Sequence, residues 1–455
     1  MNTQTNHLPW AARQYRSVLA HYLNLIVPKE ASLLQIGVSS GELLGELRAT
    51  VKMGVDADPA ALELARENNS GAFLYCCEPQ DYKPPSQPDY VIVADTLNHV
   101  GDVQALLEKI RTYTVPEARL VVSIYNTLWR PVLALASALG LRKPEADPLN
   151  WLSRQDLWNL LELSGWEIIK TEARILCPVR IPVVATLLNR WVAPLLPFLC
   201  LSIIVIARPR RSGEPAPLSV SVIIPARNEA GNIRAAVART PAMGAWTELI
   251  FIEGNSSDDT WESIRKVKEE NPGLRIKIGQ QPGKGKGDAV RMGYAMAEGD
   301  ILMILDADLT VPPEDLPKFY DAVAGGSCEF ANGSRLVYPM EKRAMQFLNL
   351  CANKFFGVAF SWLLSQQVKD TLCGTKVLTR VNYLKIAANR SYFGDFDPFG
   401  DFDLLFGADK LNLKIRDIPV RYRERTYGST NISRWSHGAL LFRMLGFAAR
   451  KLKFT

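Results

Sequence analysis

The chain is a succession of short apolar runs, each closed by glycine, proline or small polar residues and followed by a segment with helical spacing. The clearest run is ILMILDADLTVPPEDL, residues 301–316, where residues 301–305 are apolar and lead straight into Asp306, Ala307 and Asp308. An unbroken run of that length predicts a strand buried in a parallel sheet, with the acids where it emerges at its carboxyl end. If the chain stays extended through the acids, Asp306 and Asp308 face the same side. Two carboxylates about 4 Å apart repel by about 4 kcal/mol at an effective dielectric of about 20, a penalty that a divalent cation would remove. A helix-capping Asp beside a solvent-facing one is the alternative for so short a motif.

The same alternation surrounds this run. SVSVIIPARNEAGNI (219–233) is a β-branched run broken by Pro225, with Asn228 and Glu229 at a helix start. ELIFIEGNSSDDTWESI (248–264) reads as strand, polar loop and helix, and QPGKGKGDAVRMGYAMAEGD (281–300) places a basic, glycine-rich loop before a helix. Nearer the N-terminus, SLLQIGVSSGELLGELRA (32–49) reads as strand, glycine turn and helix, and KMGVDADPAALELAREN (52–68) as strand, acid and helix. Between the two halves lies RPRRSGEPAP (208–217), a boundary rich in Pro, Arg and small residues. With 455 residues one core is not expected. The pattern predicts an α/β protein of two Rossmann-like domains, residues 1–211 and 219–455, joined by a linker at 212–218.

The order of motifs after residue 219 resembles the family 2 glycosyltransferases with a GT-A fold, in particular the dolichyl- and polyprenyl-phosphate sugar transferases. The resemblance implies that Asp306 and Asp308 hold Mg²⁺ or Mn²⁺ against the diphosphate of a nucleotide-sugar, UDP- or GDP-linked, where a hard cation would offset the charge of the leaving group. Close relatives carry a Gln two residues after the second Asp; here it is Thr310. Pro225, Asn228 and Glu229 match the first nucleotide-binding segment, although a first-turn Glu is also what the helix dipole favours. Glu253 keeps one acid of the next segment, in Glu253-Gly254-Asn255-Ser256, where the family has Asp-Asp-Gly-Ser. Lys284 and Lys286 could bring charge and backbone N–H groups to the diphosphate. On the acceptor side, Arg335 with Lys342 and Arg343, Gly374 with Lys376, and Arg425 with Gly428 match family segments; Thr430 and Asn431 replace the usual Ser and Lys. A lipid-phosphate acceptor is already anionic and needs cations to hold it, whereas a hydroxyl acceptor needs a base, for which Asp401 and Asp403 are the candidates.

Residues 20–208 resemble the class I S-adenosylmethionine-dependent methyltransferases. Gly37 and Gly41 fit the glycine turn, with Ser39 replacing its middle glycine and Gln35 the usual acid of the first strand. The resemblance implies that Asp56 accepts the ribose hydroxyls of S-adenosylmethionine, that Glu78 or Asp81 approaches the adenine, and that Asp95 follows the fourth strand. A fold that binds without turning over is the alternative, and a nucleotide-binding scaffold is the alternative for the whole chain.

Composition adds little that conflicts. The seven cysteines form no C-x-x-C pair, four histidines make a His-rich metal site unexpected, and no nucleic-acid module is apparent. The net charge of +6 suits anionic headgroups or phosphates. No signal sequence is recognised, so a cytoplasmic enzyme is expected. Residues 191–207 carry no charge but contain Pro194 and Pro197 and are short for a span, and their second half is expected to be the last methyltransferase strand. The tail WSHGALLFRMLGFAARKLKFT (435–455) places Leu441, Leu445, Ala448 and Leu452 near helical spacing beside Arg443, Arg450, Lys451 and Lys453. It predicts a basic amphipathic helix that either lies on the inner face of a membrane or packs on the second domain, and the apolar segment 347–364 carries the same two readings.

Overall fold

A computed structural model describes residues 10–139, 150–179, 181, 183–211, 217–338, 347–390, 401–425, 427 and 434–455. The chain divides into two compact units, Met1–Arg210 with Lys453–Thr455, and Arg211–Leu452. Lys342, Arg343, Gly428, Thr430, Asn431, the side chain of Asp401 and most of the expected linker lie outside the described residues.

The first unit is built on β1 (Ser32–Ile36), β2 (Val51–Asp56), β3 (Phe73–Cys76), β4 (Tyr90–Ala94), β5 (Arg119–Tyr125), β6 (Trp166–Arg174) and β7 (Ser202–Pro209), in the order β3-β2-β1-β4-β5-β7-β6. Only β7 runs antiparallel to its neighbours, β5 and β6, among the described strands. Its eight residues, SIIVIARP, are all buried, as a strand covered on both faces requires. Separate apolar cores, one with Leu33, Ile92 and Val121 and the other with Leu34, Val91 and Val122, cover the two faces, because neighbouring side chains alternate. The chain reverses direction across the sheet between β1 and β4, so Gly37, Asp56 and Asp95 gather at the carboxyl edge near the switch point.

The second unit orders β8 (Val220–Ala226), β9 (Thr247–Glu253), β10 (Arg275–Gln280), β11 (Ile301–Ile304), β12 (Phe330–Ser334), β13 (Lys376–Thr379) and β14 (Ile415–Pro419) as β10-β9-β8-β11-β13-β12-β14. Strands β8 to β11 are parallel, and β13 runs antiparallel to both β11 and β12. Its switch point falls between β8 and β11, whose carboxyl ends deliver Glu229 and Asp306.

The tail forms the helix Arg434–Leu452, but its apolar stripe does not face outward. Leu441, Met444 and Ala448 are buried, and Phe442 packs its ring 5.2 Å from that of Phe356 on the helix Phe347–Leu364. Packing thus accounts for Leu441, Met444 and Ala448, while Phe442 stays 56% exposed beside Phe356. Lys453–Thr455, expected to belong to the second domain, group with the first unit: Arg174 donates to the Lys453 carbonyl at 2.8 Å, and the Phe454 ring stacks on Trp191 at 5.0 Å.

Candidate functional site

In the second unit the strand stops at Ile304. The Leu309 N–H donates to the Asp306 carbonyl at 3.1 Å, and Leu309 has φ +51°. Asp306 and Asp308 therefore sit on a turn, which corrects the extended geometry assumed from the sequence. On a turn each carboxylate takes its own cation. Lys286 Nζ lies 2.6 Å from Asp306 Oδ1, and Arg425 Nη2 lies 2.6 Å from Asp308 Oδ2. Thr310 closes the turn, donating its N–H and hydroxyl to Asp308 Oδ1 at 3.1 and 2.8 Å. Burial raises the Asp306 carboxyl, but the positive charges of Lys286, Arg335 and Lys376 outweigh this and hold it below its ordinary value.

Gly374 shows how closely the chain approaches this pair. A Cβ there would run into the Asp306 carboxylate and the Lys286 ammonium. On the other side, Arg425 Nη1 reaches Glu229 Oε1 at 3.5 Å, so one guanidinium joins two carboxylates. Glu229 is buried and its Oε2 accepts from Asn232 at 2.7 Å. Burial pushes its carboxyl up, with Asp308 and Asp258 adding to the shift.

The acceptor-side residues are anchored from behind. Arg335 donates through Nε and Nη2 to Asp370 at 2.7 and 2.8 Å, and its guanidinium lies 5.1 Å from the Tyr422 ring centre. Asp370 is 0% exposed; burial raises its carboxyl, yet Arg335 holds it below the usual range. Lys376 is fully buried, with its ammonium donating to the Cys373 carbonyl.

On the nucleotide side, Glu253 is 2% exposed, and its oxygens accept from the Ser256 N–H of its own loop at 2.5 Å and from Gln280 Nε2 on the neighbouring strand β10 at 3.2 Å. These hydrogen bonds order the turn after β9, and the carboxylate retains lone pairs for a ligand. Asn228, at φ +57°, accepts from the Ser257 N–H at 2.8 Å and so ties the loops after β8 and β9 together. Pro225 lies within β8 opposite Ile252, and Lys284 is exposed. Asp403 pairs with Arg390 at 3.3 Å. Reading the sequence missed Asp258, which accepts from the Ala230 N–H and the Tyr427 hydroxyl at 3.3 and 3.4 Å, and Asp370. Asp258 lies inside the segment 248–264 and Asp370 just ahead of Gly374, both regions noted in the sequence, but their partners are remote along the chain.

The first unit builds its site differently. Gly37, Ser39 and Gly41 have φ +72°, +51° and +76°. A Cβ on Gly37 would meet Thr96 at 2.5 Å and one on Gly41 would meet Asn69 at 2.5 Å, so both glycines serve close packing of the turn. Asp56 accepts from the backbone N–H groups of Ser39 and Asp58 at 2.7 and 3.1 Å. Gln35 is buried and donates to the Gly37 carbonyl at 3.3 Å. Asp95 accepts from Tyr15 and Ser123 hydroxyls at 2.8 and 2.7 Å. Glu78 and Asp81 are exposed on one turn, the Asp81 N–H donating to the Glu78 carbonyl.

Among the described residues no group of three or more His, Cys, Asp or Glu side chains gathers as a metal site. Comparison with known proteins accords with this division. Residues 221–383 match the model of Glycosyl transferase family 2, and residues 10–171 match that of a Methyltransferase domain. The dolichol-phosphate mannosyltransferase of Pyrococcus furiosus is 36% identical over 122 residues, which is 26% of this chain and 34% of that protein. Glycosyltransferase AglJ of Haloferax volcanii is 27% identical over 230 residues, 50% of this chain and 71% of that protein. The undecaprenyl-phosphate 4-deoxy-4-formamido-L-arabinose transferase of Salmonella paratyphi A is 34% identical over 227 residues, 48% of this chain and 64% of that protein. The chain thus spans from about a third to under three quarters of these relatives. Among solved structures, an S-adenosylmethionine-dependent methyltransferase from Mesorhizobium loti aligns over 42% of this chain and 97% of its own, at 17% identity and a TM-score of 0.32. The family matches thus place a methyltransferase domain within residues 10–171 and a family 2 glycosyl transferase domain within residues 221–383 of this chain.

Proposed function

We propose that the C-terminal domain transfers a sugar, with inversion, from a UDP- or GDP-linked donor to a polyprenyl-phosphate or related lipid acceptor. The observation that carries this reading is the carboxyl edge of β8 and β11. There Asp306 and Asp308 lie on one turn, each paired with a cation from a different segment, and Arg335 and Lys376 bear electrostatically on Asp306. The matched relatives named for dolichol and undecaprenyl phosphate support the acceptor class. The donor set suits Mg²⁺ or Mn²⁺, because hard cations use one or two carboxylates and leave other positions to phosphate oxygens and water. Asp306 and Asp308 would hold the ion, which when bound offsets charge on the departing nucleoside diphosphate.

The protein's own groups do the rest. Lys286 and Arg425 exchange their carboxylate partners for the phosphates, and Arg335, aimed by Asp370, orients the acceptor. A phosphate acceptor is anionic near pH 7, so no base is required. Asp403, a candidate base for a hydroxyl acceptor, is engaged by Arg390 at 3.3 Å.

For the N-terminal domain we read S-adenosylmethionine binding, with Asp56 accepting the ribose hydroxyls beside the glycine turn. Asp56 has backbone donors on both oxygens and retains lone pairs for a ligand. Incubation with a panel of sugar nucleotides, polyprenyl phosphate and Mn²⁺, following nucleotide release, tests sugar transfer. Release that persists undiminished in EDTA, or none with any donor, would overturn the reading.

A further inference from the structure

Half of the large apolar side chains that are exposed among the described residues fall in two segments of the methyltransferase unit, 128–139 and 181–199. The helix Arg130–Ala138, sequence RPVLALASA, has no buried residue at all. Leu135 and Leu139 are 60% and 64% exposed on it, and Leu195 and Phe198 are each 61% exposed in the second segment. The two segments adjoin. Trp129 Nε1 donates to the Leu199 carbonyl at 2.8 Å, and Asn126 Nδ2 donates to the Phe198 carbonyl at 2.9 Å. Globular proteins rarely leave such a continuous apolar face to water.

Its charge pattern indicates what covers it. No Asp or Glu occurs between residues 118 and 144, or between 173 and 213, while Arg130 and Arg190 are exposed within the segments. Leucine, phenylalanine and tryptophan with arginines and no acids make the composition of a surface that lies at a bilayer interface. None of the helices among the described residues is long and apolar enough to cross a membrane, which leaves lying on it. We infer that this face of the methyltransferase unit, and not the basic tail, seats the protein on an anionic phospholipid bilayer by burying Leu135, Leu195 and Phe198. The inference does not depend on the sugar-transfer reading, since it concerns binding alone.

Flotation of the full chain with phosphatidylcholine vesicles, with and without phosphatidylglycerol, tests it. Wild type is expected to float, more completely with phosphatidylglycerol, and to stay bound at high salt because apolar burial is not screened. The double variant L135E/F198E is expected to lose at least about tenfold in partitioning, from the apolar area withdrawn. Leu163→Glu, at a site 68% exposed in the same unit but outside both segments, is expected to float as wild type, with all proteins melting alike. Failure of wild type to float, equal flotation of the double variant, or full release by salt would each overturn the inference. So would a wild-type dimer in light scattering that the double variant converts to monomer without any flotation, since a second copy would then cover the face.

Discussion

Asp56 in the first unit and Asp306 with Asp308 in the second both lie at the carboxyl edge of a seven-stranded sheet near its switch point, yet they are held in different ways. Asp56 is fixed by two backbone N–H groups, that of Asp58 in its own loop and that of Ser39 in the glycine turn after β1. Asp306 and Asp308 are fixed by side-chain cations from the helix start at Lys286 and from Arg425, more than a hundred residues beyond Asp308. A carboxylate held by backbone keeps its geometry and charge when a neutral, hydroxyl-bearing ligand arrives. One held by Lys and Arg offers cations that an anionic ligand can take over, so its arrangement is matched to phosphate chemistry. The difference in support thus parallels the difference in ligand proposed for each unit.

The sharpest way to break this contrast is to remove a buried charge from the second unit. Asp370→Ala leaves Arg335 without its carboxylate and is expected to cost about 3 to 5 kcal/mol of that unit's stability, measured by denaturant unfolding. The wild-type pair also sets a pH dependence. Because the folded Asp370 carboxyl titrates below its unfolded value, the pair contributes stability above about pH 4 that is lost as pH falls through the lowered value. Asp370→Asn should flatten that acid limb, and an unchanged limb would refute the assignment. Next in size, Asp308→Ala is expected to cost about 3 to 4 kcal/mol in the transition state of sugar transfer, read as kcat/KM, while the melting curve stays near wild type.

Between acceptor classes, Arg335→Ala and Arg425→Ala should be severe and Asp403→Asn mild. The reverse order, with a loss of about 10² to 10⁴ in rate for the Asp variant, would favour a hydroxyl acceptor. In the first unit, Asp56→Ala is expected to weaken S-adenosylmethionine binding by about 1.5 to 3 kcal/mol, by calorimetry, and no binding by wild type at millimolar ligand would leave that domain a scaffold. The smallest effect is expected from Thr310→Ala, about 1 kcal/mol, because Asp308 loses a neutral hydroxyl donor but keeps a backbone one.

What could be read from sequence follows from how local the cause is. The strands were legible because buried parallel strands must be apolar throughout, as in 301–304 and 203–207. The acids at strand ends were legible because switch points place functional groups there. The turn at Asp306–Leu309 was not, because it needs a positive φ at Leu309, a residue type that gives no sign of adopting it. Nor were the pairs Arg335–Asp370 and Arg425–Asp308, since nothing in a one-dimensional pattern links a guanidinium to a carboxylate 35 or 117 residues away. The tail was ambiguous in another way. Its stripe of Leu441 and Ala448 is what either a membrane or a neighbouring helix would select, and in the structure both residues are buried while Phe442 beside Phe356 is half-exposed.

The quartet of Asp306, Lys286, Asp308 and Arg425 has a kinetic corollary. Two negative and two positive groups in paired contact largely cancel at a distance. Without a metal ion, such a cluster projects only a weak field into solvent, so an anionic donor would find it by unguided collision at about 10⁵ to 10⁶ M⁻¹s⁻¹. Its capture rate should then be nearly indifferent to ionic strength, and discrimination among nucleotides would arise after contact, in how fast each one leaves.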